Sequence, residues 1–309
     1  KNVFNIIDSC IMGLLSHAMC TTTTLLHNKT VIITGANVGI GKETALELAK
    51  RGANVVMACR DLKKGEVALN EIKSASKNDN IFLKSLDLSS LESVREFVAN
   101  FLQEFNTLHI LINNAGIMMS PYWKTKEGFE MQIGVNHFGH FVLTNLLLKC
   151  MLKTEGHGRI INVSSRAHGY GSINFDDINS EKSYNSVKAY AQSKLANILF
   201  TEELQRKLVN TNLTTYSLHP GFVKTDLGRY GLLTRFFYAT AGSLVAKTSQ
   251  QGAQTSIYCA TKEGLEEHAG KYFAECKVSP TSNSACGDEI QAKKLWDLSE
   301  KMTGTVFEL

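Results

Sequence analysis

A tyrosine and a lysine four positions apart, Tyr190 and Lys194, have the types and the spacing that proton transfer would use. Residues four apart on a helix share a face, so both side chains can address one substrate. A free phenol, with a pKa of about 10, exchanges protons poorly at neutral pH, but a neighbouring ammonium favours the phenolate. The pair therefore predicts a general acid or base at Tyr190, with Lys194 supplying the charge. Such a pair alone also occurs by chance in ordinary helices.

Two further polar residues could complete this site. Ser165 ends a predicted strand, where its hydroxyl could donate to a substrate oxygen that gains charge during hydride transfer. Asn136 lies in a long predicted helix and could hold a water that links Lys194 to solvent. Together with the glycine turn described next, these residues indicate an oxidoreductase site.

The segment 31–41, VIITGANVGIG, would position a cofactor beside these residues. A short apolar strand runs into a turn with Gly35, Gly39 and Gly41, and the helical pattern KETALELAK follows. Such a turn leaves backbone N–H groups at a helix N-terminus for a pyrophosphate, and glycine lets the nucleotide approach closely. A strand-to-helix turn without a ligand is the alternative interpretation.

Strands and helices alternate along the chain at a regular interval. The predicted strands are 31–34, 54–59, 81–88, 108–116 with its turn, 159–165, 213–221 ended by Pro220-Gly221, and 270–274. The predicted helices include 62–75, 89–105 with Ser89 or Ser90 as N-cap, 127–154 and 186–209. This alternation predicts an α/β fold, a single-domain, doubly wound, Rossmann-type parallel sheet with helices on both faces.

The carboxyl ends of parallel strands share one edge, where ligands bind. Arg60 follows the second strand, and its guanidinium could donate two hydrogen bonds to a 2′-phosphate, which predicts NADP(H). The alternative is a solvated Arg60, with Asp61 binding the ribose. Asp87 would reach the adenine ring. Asn113, Ala115 and Gly116 would line the adenosine side, or form merely a turn.

Composition limits the remaining function classes. The 309 residues, 43% hydrophobic with three prolines, fit one globular α/β protein, and a net charge of +4 gives no case for nucleic acid. Seven scattered cysteines without a C-x-x-C predict reduced thiols. His137 and His140 have no third ligand candidate nearby, so no metal is predicted.

An N-terminal hydrophobic segment, 1–26, is a candidate membrane anchor. Its residues 3–20 are mostly apolar, but Asn5, Asp8 and His17 interrupt them, so an interfacial helix or a plain surface helix are alternatives. We therefore expect residues 27–309 to form the dinucleotide-binding domain. The expected location is the endoplasmic reticulum or another intracellular membrane, with this domain in a reducing compartment; a cytoplasmic protein is the alternative.

Residues 29–275 resemble the short-chain dehydrogenase/reductase family through TGANVGIG, NNAG, NVSS, Tyr190-x-x-x-Lys194 and HPGFVKTDL. Longer strings, ACRDLKKGE (58–66), LHILINNAGIMM (108–119), VNHFGHF (135–141) and SKLANILF (193–200), resemble its NADP-dependent retinol dehydrogenases.

The resemblance implies specific roles. Tyr190 would be the acid/base. Lys194 would lower the pKa of Tyr190 and bind the ribose, and Asn136 would be the fourth member of the catalytic set. Ser165, rather than Ser164, would be the substrate-oxygen donor. The family also implies that Val223 and Thr225 flank the nicotinamide carboxamide. The full predicted cofactor-binding set is Gly35, Asn37, Gly39, Ile40, Gly41, Arg60, Asp87, Asn114, Ala115, Gly116, Tyr190, Lys194, Pro220, Gly221, Val223 and Thr225.

The same resemblance assigns about 227–247 to a substrate lid, whose apolar and aromatic residues could line a greasy cleft or touch a bilayer; ordinary helix packing is the alternative. The expected reaction is hydride transfer from NADPH to an aldehyde or ketone, with Tyr190 donating the proton, and the reverse alcohol oxidation. The expected substrate is a retinoid or a similar apolar aldehyde. The alternatives are a reductase for steroids or lipid-derived aldehydes and a non-catalytic NADP(H)-binding interaction protein.

Overall fold

The structure, a computed structural model, describes residues 18–223 and 246–309. Its centre is one eight-stranded sheet in the order β3-β2-β1-β4-β5-β6-β7-β8, in which only the last pair is antiparallel. The strands are β1 Thr30–Thr34, β2 Asn54–Cys59, β3 Ile81–Ser85, β4 Ile110–Asn113, β5 Gly158–Val163, β6 Leu213–Leu218, β7 Tyr272–Ala274 and β8 Lys277–Val278. The predicted fold class is therefore confirmed.

Seven longer helices flank the sheet in the described residues. They are α1 Gly39–Lys50, α2 Leu62–Ser76, α3 Leu91–Glu104, α4 Gly139–Lys153, α5 Ser186–Lys207, α6 Ser249–Thr261 and α7 Glu289–Thr303. One helical turn, Met131–Ile133, and a π-helical segment, Gly134–Phe138, lead directly into α4. Short 3₁₀ turns span Arg166–Tyr170 and Leu265–His268.

The sheet is covered on both faces because its strands are apolar on both. Ile32 of β1 belongs to a core cluster that includes residues of α3, α4, α5 and α7. Its neighbours Val31 and Ile33 belong to a second cluster, with residues of α1, α2 and α6. Successive strand residues point to opposite faces, so one five-residue strand anchors both layers.

Polar residues at the helix starts fix where several helices begin. Asp61, Ser90 and Asn185 each accept a backbone N–H from the first turn of the following helix. Thr248 forms a capping box with Gln251 at the start of α6. These bonds satisfy backbone donors that a helix leaves without an internal partner.

The structure corrects several predicted boundaries, among them the following three. The long helix starts at Met131, not at 127, because the Glu130 carboxylate accepts the N–H groups of Gln132 and Ile133. The third strand ends at Ser85 rather than at 88. The strand predicted at 270–274 is Tyr272–Ala274, and it turns back into β8, which the sequence did not predict.

The C-terminal helix α7 packs against the outer face of α4 and α5. Trp296 is 2% exposed, and its ring centroid lies 5.0 Å from that of Phe141 and 5.8 Å from that of Phe200. His137 also contacts this helix through a 2.8 Å hydrogen bond between its Nε2 and Ser299 Oγ. The helix thus covers apolar rings on the elements that carry the candidate site.

The described part of the N-terminal segment, residues 18–26, has no regular secondary structure and packs along α1 and α6. Leu26 N donates to Arg51 O at 2.7 Å, and the hydroxyls of Thr22 and Thr261 are 2.6 Å apart. Among residues 18–223 and 246–309, no helix combines the length and the apolar character needed to cross a bilayer. Residues 1–17 of the candidate anchor and 227–245 of the candidate lid lie outside the described residues.

Candidate active site

Tyr190 and Lys194 lie on the buried face of α5, 5% and 3% exposed. Lys194 Nζ is 5.8 Å from the centroid of the Tyr190 ring, so the helical spacing brings the two side chains together as predicted. The ammonium donates to the carbonyl oxygen of Val163, at the end of β5, at 3.0 Å. Lys194 is therefore fixed against the edge of the sheet where the predicted ligand would bind.

Burial lowers the pKa of Lys194 from 10.5 to about 8, because an ammonium loses its hydration in the protein interior. The side chain is still mostly cationic at neutral pH. It places a positive charge next to the Tyr190 phenol.

Asn136 lies in the π-helical segment rather than in a regular helix. Its Oδ1 accepts the N–H of Ile117 at 2.9 Å, and its Nδ2 donates to Ile117 O at 3.0 Å and to Ser193 Oγ at 2.9 Å. A Cβ built on Gly116 would lie 3.2 Å from Asn136 Oδ1 and 3.5 Å from Lys194 Nζ. The side-chain amide therefore holds the loop after Gly116 beside Lys194. A water held by Asn136 stays a prediction.

The two serines after β5 have different environments. Ser164 is 2% exposed and its hydroxyl donates to Lys194 O at 2.7 Å, within the interior. Ser165 is half-buried, and its Oγ accepts the N–H of Ala167 at 3.2 Å, which leaves its proton able to point to a substrate oxygen. Of the pair, Ser165 is the one placed to donate to a ligand.

The glycine turn between β1 and α1 requires its glycines. Gly35 and Gly39 have φ angles of 67° and 58°, in the left-handed region that glycine enters without strain. A Cβ on Gly41 would lie 2.5 Å from Asn114 Nδ2 and would also clash with Gly35 O. The helix begins after Val38, whose side chain has no polar acceptor, so first-turn N–H groups fit an anionic ligand. The turn therefore fits the pyrophosphate of a dinucleotide.

Thr34 organises the first half of the site, a role that the sequence analysis missed. Its Oγ1 accepts the N–H groups of Asn114 and Ala115, each at 2.9 Å. Its carbonyl accepts from Asn114 Nδ2 at 2.8 Å, and its hydroxyl is 2.9 Å from His140 Nε2. The NNAG loop after β4 is thus tied to the end of β1. A threonine in an apolar strand gave no signal of this contact.

The residues after β2 and β3 lie at the same sheet edge. Arg60 is exposed, whereas the Asp61 carboxylate accepts Lys64 N at 3.1 Å as the N-cap of α2. Asp87 Oδ1 accepts from the backbone N and the hydroxyl of Ser89, at 3.0 and 2.7 Å. The Asp61 carboxylate therefore already has a structural role.

Asn113, predicted to line the adenosine side, bonds instead to the neighbouring strand β5 and to helix α4. It is 2% exposed, and its Nδ2 donates to Thr144 Oγ1 at 3.0 Å and to Asn162 Oδ1 at 2.8 Å. Strand residues alternate in direction, so Asn113 points inward while the next residues leave the strand.

The chain after β6 lies next to the glycine turn. Gly221, which follows Pro220, has a φ of 89°, and its N–H donates to His219 Nδ1 at 2.9 Å. Val223 packs against Gly252 of α6. A Cβ placed on Gly252 would lie 2.6 Å from Val223 Cγ2 and 3.2 Å from Ile40 Cγ1, so Val223, α6 and the start of α1 are close neighbours. Thr225 lies outside the described residues.

His137 and His140 each have a hydrogen-bond partner in the interior. His140 Nδ1 is 3.1 Å from Asn136 O, with Thr34 on its other nitrogen. Burial lowers the pKa of His137 to about 3 and that of His140 to about 4, so both rings are neutral at pH 7. Within 18–223 and 246–309, no three His, Cys, Asp or Glu side chains gather as a metal site.

Comparison with known proteins gives a consistent picture. The short chain dehydrogenase family model matches residues 29–235. Retinol dehydrogenase 11 from Homo sapiens is 51% identical over 294 residues, which cover 95% of this chain and 92% of that protein. Retinol dehydrogenase 12 from Homo sapiens is 50% identical over 290 residues, 94% of this chain and 91% of that protein.

Solved structures agree with the fold. An uncharacterized protein from Mycobacterium Paratuberculosis has a TM-score of 0.76 and 38% identity, and the match covers 93% of this chain and 97% of that one. A short chain dehydrogenase from Shigella flexneri 2a, complexed with NADP, has a TM-score of 0.65 and 20% identity, with coverage of 82% and 99%. Because the family model matches two thirds of the sequence and full-length relatives are half identical, this chain belongs to the short chain dehydrogenase family and is an oxidoreductase that acts on CH–OH groups with a nicotinamide cofactor.

Proposed function

We propose that this chain is an NADP(H)-dependent oxidoreductase that interconverts a retinoid alcohol and its aldehyde, and that it reduces apolar aldehydes with NADPH. The observation that carries the catalytic part is the meeting of Lys194, Tyr190 and Asn136 beside Gly116. The retinoid part is supported by relatives named retinol dehydrogenase 11, 12 and 14, which are 49–51% identical over at least 91% of the chain.

In the proposed reduction, NADPH supplies the hydride for the carbonyl carbon. Tyr190 donates the proton to the carbonyl oxygen, and the Lys194 ammonium stabilises the phenolate that remains. Ser165 donates a hydrogen bond to the same oxygen while negative charge develops there. Asn136 keeps the loop after Gly116 in place through both of its amide atoms. In the reverse direction, the phenolate accepts the proton of the alcohol.

The acid/base assignment has a direct test that also separates an enzyme from a non-catalytic binder. Tyr190→Phe removes the exchangeable proton and keeps the ring. We expect NADPH binding to persist and the rate of aldehyde reduction to fall by roughly 10²–10⁴-fold, the usual contribution of a general acid. Undiminished turnover by this variant would contradict the assignment.

Preference for NADP over NAD is supported by the charges near Arg60. Asp61, the alternative ribose ligand, is engaged as a helix cap. A cleft between the glycine turn and α2 is lined by Lys42, Lys63, Lys64 and Glu71, as well as by Asn37, Val38, Val67 and Ala68. Lys42 pairs with Glu71 and Lys64 pairs with Asp61. Together with Arg60, the cations here still outnumber these two carboxylates, and an excess of cations favours a phosphate over a neutral ribose hydroxyl.

Arg60→Ala tests this preference. Loss of a charge-assisted hydrogen bond is worth about 1.5–3 kcal/mol, so kcat/KM with NADPH should fall roughly tenfold to a hundredfold. The value with NADH should change little. Lys262→Ala, at an exposed lysine just after α6, is the matched control and should alter neither. Comparable losses with both cofactors would reject the phosphate role of Arg60.

An apolar substrate is supported by the residues that follow Gly116. Ile117, Met118 and Met119 are half-buried, and the exposed rings of Tyr122 and Trp123 come next. The discriminating measurement is relative turnover of retinal, medium-chain aldehydes and steroid ketones with NADPH. We expect retinal to have the highest kcat/KM. Much faster turnover of steroid ketones would replace the retinoid by a steroid.

We also propose that residues 1–26 attach a catalytic domain, 27–309 with a lid at about 227–247, to an intracellular membrane such as the endoplasmic reticulum. The support is the apolar composition of residues 3–20. Fractionation of cells that express the full chain, followed by a carbonate wash, tests this attachment. Release of the protein into the supernatant before the wash would argue for a cytoplasmic enzyme.

A further inference from the structure

Lys247 is in direct contact with the segment Gly221–Val223, which the resemblance to short-chain dehydrogenases assigns to the nicotinamide side of the cofactor. Its N–H donates to Phe222 O at 2.7 Å, and it pairs with Val223 in a parallel β-bridge. Its side chain lies along Gly221, since a Cβ there would be 2.9 Å from both Lys247 Cδ and Cε. Backbone and side chain of one lysine therefore both support this segment.

The Lys247 ammonium forms an ion pair with Glu275, and the two side chains are only 6% and 16% exposed. The second carboxylate oxygen of Glu275 accepts the N–H of Ala18 at 3.2 Å. Ion pairs at the surface contribute little, but a buried pair is sensitive to the loss of either partner. The position of Lys247 thus depends on Glu275.

Glu275 reaches Lys247 from an unusual turn. Glu275 and Cys276 connect β7 to β8, with φ angles of 50° and 54°. Two-residue hairpin turns with positive φ at both positions normally use asparagine, aspartate and glycine. Backbone outliers of this kind concentrate at functional sites, where the surrounding structure holds them.

The opposite side of the segment is also held. Val223 fits against Gly252 of α6, close to Ile40 at the start of α1. The segment is therefore fixed between the glycine turn and the Lys247–Glu275 pair. Removal of the pair would free one side only.

We infer that Glu275 and Lys247 are positioning residues for the nicotinamide half of the cofactor, acting through Gly221–Val223. This inference rests on the proposed function, because it needs a bound NADP(H) whose nicotinamide lies at this segment, as the family resemblance implies. Glu275→Gln leaves one amide oxygen for two donors, Lys247 Nζ and Ala18 N, so the ammonium loses its carboxylate. The adenosine half, at the glycine turn and Arg60, lies on other elements and keeps its contacts.

The test compares two ligands in the absence of any substrate. NADPH reports on the whole site, whereas adenosine 2′,5′-bisphosphate reports on the adenosine half alone. For Glu275→Gln we expect the Kd of NADPH to rise roughly tenfold, which is about 1.4 kcal/mol of binding free energy, and that of the bisphosphate to stay unchanged. Glu266→Gln is the matched control, because Glu266 pairs at 3.0 Å with the buried Arg159 at the amino end of β5. It should leave both constants unchanged.

A merely structural role would give other results. Lys247→Met combined with Glu275→Gln removes both charges and should restore the unfolding temperature relative to Glu275→Gln alone, while NADPH binding stays weak. Recovery of NADPH affinity together with stability would overturn the inference, as would equal weakening of both ligands by Glu275→Gln. If the wild-type protein bound neither ligand, the proposed function itself would fail, and this inference with it.

Discussion

Replacement of Lys194 by methionine should abolish catalysis and make the protein more stable. Burial lowers the pKa of this lysine from 10.5 to about 8. At about 1.36 kcal/mol per pKa unit, the buried ammonium costs about 3 kcal/mol of folding free energy at neutral pH. Methionine has a similar length and no charge. It forfeits the bond to Val163 O, worth about 1 kcal/mol, although Asn197 Nδ2 still donates to that oxygen at 3.2 Å. The expected net gain is about 2 kcal/mol.

The pH dependence of this gain follows from the direction of the pKa change. Below about pH 8 the lysine is charged in the folded and in the unfolded chain, so the native state carries the full cost. As the pH rises from about 8 towards 10.5, the folded protein releases its proton while the unfolded chain keeps it, and the cost disappears. The advantage of Lys194→Met should therefore be largest at pH 7 and close to zero near pH 10.

Denaturant unfolding of wild type and variant at several pH values measures this difference. At pH 7 the thermal midpoint of the variant should also be higher by about 4 °C. Lys188→Met is the matched control, since Lys188 lies on the same helix but is exposed, and it should show no such trend. A variant that is less stable than wild type at pH 7, or a difference independent of pH, would refute the reasoning.

Three further predictions concern the same site. Ser165→Ala should lower kcat for reduction by roughly 10²–10³-fold with little change in thermal midpoint. Ser164→Ala should instead lower the free energy of unfolding by about 1 kcal/mol, because its hydroxyl bonds inside the protein. Equal losses of kcat in the two variants would contradict the assignment of Ser165. Gly41→Ala should destabilise the fold by about 1–3 kcal/mol and abolish NADPH binding, because its Cβ would clash with Gly35 O, and tight NADPH binding measured by titration would contradict the fit. The kcat/KM for aldehyde reduction should fall as the pH rises through about 8, where Lys194 loses its proton; a profile flat from pH 7 to 9 would exclude that dependence.

Local patterns were sufficient to predict most of the fold. The second strand, Asn54–Cys59, was predicted to the residue, because a continuous apolar run between turn residues has few other interpretations. The start of α5 at Ser186 was also predicted. The hairpin after β7 was missed, because glutamate and cysteine are not the residues that normally mark a turn with positive φ.

The candidate site was predicted where residue type and spacing carry the chemistry. Tyr190 and Lys194 share a face because of helical geometry alone, which a sequence shows directly. Contacts between distant segments left no such trace. Ser193 bonds to Asn136 and Thr34 holds the loop after β4, yet both are small polar residues within otherwise regular elements. Their hydrogen-bond partners depend on how the helices and strands pack together, which the spacing of apolar residues within one element does not predict.

Helix α7 covers α4 and α5, and this has a consequence for variants distant from the active site. The ring of Trp296 contacts Phe141 of α4 and Phe200 of α5, the helix that carries the acid/base pair. A substitution of Trp296 would leave every reacting group in place but expose the apolar surface of α4 and α5 to solvent. Such variants should have a lower abundance in the cell, because more of the chain is unfolded and degraded. The folded protein that can be purified should have a normal kcat.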